Sequence, residues 1–334
     1  MLPTGKLPAE LLSELLARYG GRDERLIVPP RPGEDAAAIA FSDHVLVAAT
    51  DPITFATDEI GWYAVHVNAN DVAVMGAQPR WFLATALLPE GQATAAMAER
   101  IIAQMAQACH DVGAVLAGGH TEITHNLDRP IVIGVMLGEV ERARLVRTGG
   151  AQPGDAVVQI KPAPIEGTAI IARERREELL ARGFDGELLD RAARLLYDPG
   201  ISVVRVALIA ATSATVHAMH DPTEGGLITG LQELAEASGV GLEIHLDAIP
   251  VLSEAMLLCN AYGLDPLGTI ASGALLVTLP QNDVPLLQAA LATDHVQAAV
   301  IGRVLPADQG LQAYQDGRPV PFPSFPVDEI ARLF

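Results

Sequence analysis

Residues 65–79 read VHVNANDVAVMGAQP, and this stretch is the most informative part of the chain for its fold. The apolar run over residues 60–75 predicts a helix, which the following glycine and proline bring to an end. Asn68, Asn70 and Asp71 interrupt its apolar surface, and polar groups that are buried need partners. A solvated helix edge is the alternative. Because the stretch has so little other polarity, we favour a ligand-binding role for Asn70 and Asp71.

Carboxylates recur at other points of the first half, each beside a predicted strand end or a small residue. They are Asp35 in GEDAAAI, Asp51 in ATDPIT and Glu122 in GGHTEIT. Side chains at strand ends can converge from separate segments, and Mg²⁺ prefers oxygen ligands from a few carboxylates together with phosphate oxygens. Each aspartate alone is more often a turn former or helix cap than a ligand. As a set they indicate a metal–nucleotide site.

The motif GGHTEIT follows a predicted strand and opens with a glycine pair. Gly118 and Gly119 are predicted to form a tight turn at the strand end, where backbone N–H groups can approach phosphate. His120 and Thr121 would then face the same ligand. A turn without any ligand is the competing interpretation, and the motif by itself does not decide between them.

The second half offers two similar motifs at predicted helix starts. DPTEGGL places Asp221, Thr223 and Glu224 immediately before a helix, where acids complement the helix dipole. These residues are also good N-cap residues, which is the structural alternative. The segment 166–168 carries a glutamate, a glycine and a threonine (Glu166, Gly167 and Thr168) before another helix, with the same two interpretations.

The chain of 334 residues is long enough for two domains. Turn chemistry at Pro153–Asp155 predicts a boundary there, which gives an N-terminal domain over 1–151 and a C-terminal domain over 152–334. Strands and helices mix in both halves without strict alternation, so we expect an α+β fold. Neither the dinucleotide-binding nor the P-loop glycine pattern is present, so any ATP is bound by another route.

The net charge of −19 argues against binding to nucleic acid or to an anionic membrane surface. The first 20 residues lack the basic start and apolar run of a signal peptide, and they predict an amphipathic helix instead. We find no apolar stretch long enough to span a membrane. A cytoplasmic location is therefore expected, with Cys109 and Cys259 as buried, inert, unpaired thiols.

Taken in order, the motifs resemble the superfamily of aminoimidazole ribonucleotide synthetase, thiamine-monophosphate kinase, selenophosphate synthetase and the hydrogenase-maturation dehydratase. The segments that carry the resemblance cover nearly the whole chain, and the pairing of NDVAVMGAQP with DPTEGGL is its most specific part. They are GEDAAAI, ATDPIT, NDVAVMGAQP, GGHTEIT, IEGTAI, DPTEGGLITGLQELAEASGVGLEI and PLGTIASGALLVTL. The second half is most similar to the hydrogenase-maturation branch.

This resemblance implies a two-domain PurM-like fold whose N-terminal domain pairs into a barrel across a homodimer, with ATP and Mg²⁺ as cofactors. It implies transfer of the γ-phosphate to, or activation of, a small-molecule substrate. The implied metal ligands are Asp35, Asp51, Asp71, Asp221 and Glu224, and Asp71, His120 and Asp221 would be catalytic. The implied cofactor contacts are Asn70, Gly118, Gly119, Thr121, Glu166, Gly167, Thr168 and Thr223.

Two departures from the family pattern bear on the reaction. His120 stands where several branches carry an acidic residue, and imidazole is a poorer Mg²⁺ ligand than carboxylate. The chain ends in EIARLF, without the C-terminal cysteine that accepts the carbamoyl group in the dehydratase branch. The carbamoyl-to-cyanide reaction is therefore not expected. The five carboxylates named above favour a phosphotransferase or ligase, whereas the two departures favour the alternative, a non-catalytic nucleotide-binding partner in a metalloenzyme maturation complex.

Overall fold

The computed structural model describes residues 7–21, 23–29, 33–53 and 58–334. They form two compact units. The N-unit comprises residues 23–29 and 35–145, and the C-unit comprises residues 7–21, 33–34 and 146–334. The predicted domain limits of 1–151 and 152–334 stay a prediction, and the units differ from them because residues 7–21 and 33–34 group with the C-terminal half.

The N-unit is built on one mixed sheet with strand order β1-β2-β3-β6-β4-β5. Its strands are β1 (Leu26–Val28), β2 (Ala37–Phe41), β3 (His44–Ile53), β4 (Gln78–Pro89), β5 (Val115–Thr124) and β6 (Ile131–Glu141). Only β4 and β5 run parallel among these neighbouring pairs of described strands. Its helices are α2 (Ile60–Val74) and α3 (Ala95–Val112). The first helix of the chain, α1 (Ala9–Tyr19), belongs to the C-unit.

Helix α2 is buried around almost its whole circumference, which explains why its apolar residues show no amphipathic pattern. Glycines on β6 let α2 approach the sheet closely. A Cβ added at Gly134 would collide with the side chain of Asn68, and one added at Gly138 would collide with that of Val72. Asn68 and Val72 are four residues apart and therefore lie on one face of the helix. The predicted helix is confirmed within a residue of its expected end.

The C-unit contains a mostly antiparallel sheet with strand order β13-β12-β9-β11-β7-β10-β8. Its strands are β7 (Asp155–Ile160), β8 (Ala218–His220), β9 (Gly241–His245), β10 (Leu275–Pro280), β11 (Ala298–Leu305), β12 (Leu311–Gln315) and β13 (Arg318–Val320). Every residue of β7 is buried between its neighbours β10 and β11. Leu227, Leu231 and Leu234 pack one helix against the core side of this sheet.

The helices of the C-unit come from both ends of the chain. They are α1 (Ala9–Tyr19), α4 (Ile165–Glu174), α5 (Arg176–Ala181), α6 (Gly186–Arg194), α7 (Val204–Ser213), α8 (Gly226–Ser238), α9 (Ser253–Tyr262) and α10 (Val284–Ala292). The predicted first helix is confirmed over the described residues, and residues 1–6 lie outside them. The two packed mixtures of strands and helices agree with an α+β fold.

One helical stretch of the described residues, Gly186–Ser213, meets the length and mean hydropathy of a membrane span, although Asp198, Pro199 and Arg205 interrupt its apolar residues. The structure divides it into α6, a π-turn at Leu196–Gly200 and α7. Of its most apolar window, 44% is buried inside the protein, and buried core helices satisfy the same criterion. Length and composition therefore give only weak support for a membrane span here.

Candidate functional site

The side chain of Asn68 fixes the end of β3 against α2. Its Oδ1 accepts a hydrogen bond from the backbone N–H of Asp51 at 2.8 Å, and its Nδ2 donates to the Asp51 carbonyl at 3.2 Å. The same Nδ2 donates to the Ala64 carbonyl at 2.8 Å, one turn earlier on the helix. Asn68 is fully buried. It therefore supports the site as a structural clamp, a role that the sequence did not distinguish from ligand binding.

The sequence predicts Asp51 at the end of a strand, but in the structure Asp51 lies within β3. The strand continues to Ile53 because Asp51 still pairs with Gly134 of β6. The carboxylate is half-buried. Its backbone is held by Asn68, so the position of Asp51 relative to α2 is defined by two hydrogen bonds.

Asp71 lies one helical turn after Asn68, so both side chains are on the face of α2 that meets the sheet. Asp71 is 7% exposed and Asn70 is fully buried. A solvated helix edge is therefore wrong for this stretch. The structure brings the Asp71 and Asp51 segments together through Asn68, whereas Asp35 lies in the half-buried loop before β2.

The glycine pair of GGHTEIT does not form the predicted turn. Gly118 and Gly119 lie in the middle of β5, which continues to Thr124 beside β4. The strand is the edge of its sheet, and His120 and Thr121 are exposed. The Nε2 atom of His120 lies 3.4 Å from an Oε2 atom of Glu122. The turn prediction failed because glycine in a strand and glycine in a turn look alike in sequence.

In the C-unit, the acidic motif at the start of α8 is shaped by two glycines. Gly225 is the N-cap and has φ +79°, and Gly226 has φ +70°, both in the left-handed region that favours glycine. The alternative that Asp221 or Thr223 caps this helix is therefore wrong. Asp221 follows β8 directly and is 2% exposed, and the Thr223 hydroxyl donates to Glu224 at 3.3 Å.

Sequence reasoning missed Asp328, whose carboxylate reaches this motif from the C-terminal segment. Its Oδ2 accepts the Gly225 N–H at 2.7 Å, and its Oδ1 accepts the N–H groups of Ile330 at 2.8 Å and Ile270 at 3.3 Å. Burial raises the pKa of Asp328 to about 6, although the three backbone hydrogen bonds oppose the rise; Glu224 adds to it. No local motif in the sequence pairs position 328 with position 225.

Glu166 lies in the first turn of α4 and is 6% exposed. Its Oε2 atom is buried without a hydrogen-bond partner within the part of the chain that the structure describes. Burial raises the pKa of Glu166 to about 7; the Ser272 hydroxyl opposes the rise, and the charges of Glu224 and Asp328 add to it. A buried carboxylate near other carboxylates is typical of a site that holds a proton or a cation.

The two residues after Glu166 are engaged inside the C-unit. The Gly167 N–H donates to the Ile270 carbonyl at 3.0 Å, and the Thr168 hydroxyl donates to the Pro164 carbonyl at 2.5 Å. Helix α4 begins at Ile165, so Gly167 and Thr168 lie inside its first turn. The N-cap residue is Pro164, whose side chain makes no capping hydrogen bond. The predicted cofactor contacts of Gly167 and Thr168 stay predictions.

The donor set suits Mg²⁺, since the predicted ligands Asp35, Asp51, Asp71, Asp221 and Glu224 are all carboxylates, and Mg²⁺ prefers hard oxygen donors. Within the described ranges, no three acidic, histidine or cysteine side chains form a ready-made metal cluster. Mg²⁺ usually takes only one or two carboxylates and completes its shell with phosphate oxygens and water. The residues therefore fit a metal that arrives with a phosphate ligand.

The two cysteines are both buried in the protein interior. Cys109 and Cys259 are buried and unpaired, as predicted. Burial raises the pKa of Cys109 to about 12 and that of Cys259 to about 11. Both thiols therefore stay protonated near neutral pH, and a protonated buried thiol is a poor nucleophile.

Comparisons with known proteins place both halves of the chain. Residues 33–140 match the family model of the AIR synthase related protein, N-terminal domain, and residues 152–312 match that of its C-terminal domain. The chain is 32% identical over 311 residues to the carbamoyl dehydratase HypE of Cupriavidus necator, which covers 90% of this chain and 84% of that protein.

Two solved structures share the fold. Hydrogenase maturation protein HypE in complex with ATP superposes with a TM-score of 0.73 at 25% identity, over 98% of this chain and 97% of that one. Thiamine monophosphate kinase from Aquifex aeolicus gives 0.67 at 23% identity, over 86% and 92% respectively. The predicted two-domain PurM-like fold and the similarity to the hydrogenase-maturation branch are thereby confirmed.

Proposed function

Because the chain belongs to the AIR synthase related proteins, we propose that it is a cytoplasmic ATP- and Mg²⁺-dependent enzyme that transfers the γ-phosphate of ATP to a small-molecule substrate, or activates that substrate. A relative of the same fold is solved with ATP bound. The observation that carries the proposal is the Asn68 clamp, which holds Asp51 beside the α2 face that bears Asp71. A buried asparagine that fixes two acidic segments has a clear purpose if those segments meet a metal–phosphate group.

In this proposal, Asp35, Asp51 and Asp71 would hold Mg²⁺ and phosphate groups at the N-unit. Asp221 and Glu224 are proposed as further carboxylate ligands within the C-unit. The bound Mg²⁺ would offset negative charge on the phosphates as the γ-phosphate is transferred. The protein side chains would bind and orient the metal and the phosphates. Conversion of Asp71 to a neutral residue would remove one of the charges that attract the metal.

The remaining predicted contacts divide between backbone and side chain. Gly118 and Gly119 offer backbone N–H groups, and Asn70, Thr121, Glu166 and Thr223 offer polar side chains. His120 is a candidate for proton transfer, because imidazole is a poorer Mg²⁺ ligand than carboxylate.

The test is ligand-dependent stability followed by turnover. ATP with Mg²⁺ at millimolar concentration should raise the melting temperature, since a ligand that binds only the native state stabilises it by mass action. ATP with EDTA is the control and should give a smaller shift. ADP release and phosphorus NMR against a metabolite collection then identify the acceptor. The absence of any shift with Mg²⁺ and ATP would contradict the proposal.

A second candidate function is nucleotide binding without catalysis, inside a complex that matures a metalloenzyme. It is favoured by His120 at a position where several family branches carry an acid, and by the hydrogenase-maturation relative. Stabilisation by ATP with no ADP release under any acceptor, together with a bound protein partner, would favour this candidate over the enzyme.

We also propose a homodimer through β5. This edge strand leaves Val115 and Ile123 each 61% exposed, and an unpaired edge with exposed apolar side chains is a liability that pairing removes. Sedimentation at micromolar concentrations should give a dimer, and Ile123→Lys should shift the protein toward monomer. A monomer across the whole concentration range would refute it.

A further inference from the structure

The C-terminal segment is attached to the C-unit at several independent points. Phe325 packs against Gly268, where an added Cβ would collide with its ring, and Ile330 is buried. Glu329 accepts the Asp265 N–H at 3.0 Å and pairs with Arg332 at 2.7 Å. These contacts hold the segment in place and set the position of Asp328 between them.

The carboxylate of Asp328 joins a loop that carries predicted site residues to a second loop. One loop contains Gly225, which follows Glu224 directly, and the other contains Ile270. The Ile270 carbonyl accepts the Gly167 N–H at 3.0 Å, next to Glu166. The two loops also meet directly, because the Ala271 N–H donates to the Thr223 carbonyl at 3.2 Å.

The backbone conformation at Gly225 depends on its hydrogen bond to Asp328. It has a positive φ, as does Gly226, so two consecutive residues at the start of α8 have the full conformational freedom of glycine when unrestrained. The Gly225 N–H donates to Asp328, and a hydrogen bond to an ionised carboxylate is shorter and stronger than one to a neutral group. Removal of that acceptor would let the Glu224 segment sample other conformations.

We propose that Asp328 is a positioning residue, which sets Glu224 and the Glu166 turn in the orientation that the nucleotide site requires. This positioning role rests on the proposed function, because it requires a nucleotide site. The hydrogen bonds that Asp328 accepts do not depend on that function. Asp328 acts through backbone N–H groups and does not itself touch the ligand.

Asp328→Asn is the informative variant, because it keeps the shape of the side chain but turns one acceptor oxygen into an N–H₂ donor. That donor would face a backbone N–H group and could not form the bond. Glu329→Gln is the matched control: it removes the charge of the neighbouring acid, but the amide oxygen of glutamine can still accept the Asp265 N–H that attaches the segment. Circular dichroism confirms folding. If the Asn variant does not fold, Asp328→Ser replaces it, since serine keeps a capping group for Ile330.

Two measurements then separate the outcomes. Hydrogen exchange in peptides spanning residues 223–227 and 268–272 should accelerate about tenfold in Asp328→Asn, and Mg²⁺·ATP affinity should fall about fivefold or more, with both unchanged in Glu329→Gln. Unchanged exchange would overturn the positioning role. Accelerated exchange with unchanged ATP affinity would reduce Asp328 to a purely structural residue and overturn it also. If the unaltered protein binds no ATP, the proposed function fails, and the positioning role fails with it, while the exchange data still report the loop contacts.

Discussion

Replacement of Asn68 by alanine tests the clamp between β3 and α2 most directly. The variant removes three hydrogen bonds and leaves the N–H and carbonyl of Asp51 without their side-chain partner, whereas the Ala64 carbonyl still accepts the backbone N–H of residue 68 within the helix. Each buried polar group left unsatisfied costs roughly 1–3 kcal/mol. Because Asp51 is half-buried, we take about 1.5 kcal/mol for each of its two groups and expect a loss of about 3 kcal/mol.

The expected loss can be measured as a change in melting temperature. At roughly 4 °C per kcal/mol for a unit of this size, the transition of the N-unit should fall by about 12 °C. Asn68→Asp should be at least as damaging, because its second oxygen would face two carbonyl oxygens. Gln107→Ala is the control, since this exposed side chain of α3 bonds only the side chain of Asp111. A fall of less than about 2 °C for Asn68→Ala would refute the reasoning.

Three further predictions follow from the same geometry. Asp71→Asn should keep the fold and lose Mg²⁺-dependent ATP affinity, measured by calorimetry, because it removes charge but not volume; equal affinity would make Asp71 structural. Replacement of Cys109 and Cys259 by alanine or serine should leave ATP-dependent activity within a few-fold, and thiol reagents should react only on unfolding, since the pKa of each thiol is raised to about 12 and 11 by burial. Loss of turnover in either single variant with the fold intact would instead indicate a covalent thiol mechanism. The raised pKa of Glu166, about 7 against a model-compound value of 4.5, means that the folded state holds this proton more tightly, so the contribution of Glu166 to stability should decrease as pH rises from about 4.5 to 7. Glu166→Gln should flatten that part of the stability curve, and an unchanged slope would contradict the assignment.

Several local features could be predicted because they depend on neighbours in sequence. The helix over residues 60–75 and the strand β11 (Ala298–Leu305) follow from apolar runs bounded by turn residues, and the two cysteines lie in apolar helical surroundings. The motif order also identified the family. In each case the information lies within a short window of the chain, where periodicity and capping chemistry act.

Other features were misjudged because two local explanations have the same sequence signature. An aspartate after an apolar run ends a strand or continues it, and pairing with β6 decided that Asp51 continues β3. A glycine pair can form a turn or continue a strand, and pairing with β4 decided that Gly118 and Gly119 continue β5. Strand partners lie far away in sequence, so the choice is made by the sheet.

The family, the α+β class, the apolar helix and the carboxylates that could serve a metal–nucleotide site can all be predicted from the order of the residues. The support of Asp51 by Asn68 and of Gly225 by Asp328 depends on contacts over separations of 17 and 103 residues, which become visible only in the folded chain. The physical reason is that a buried polar atom takes whichever partner folding brings within about 3 Å, and local propensity contains no information about that distant partner.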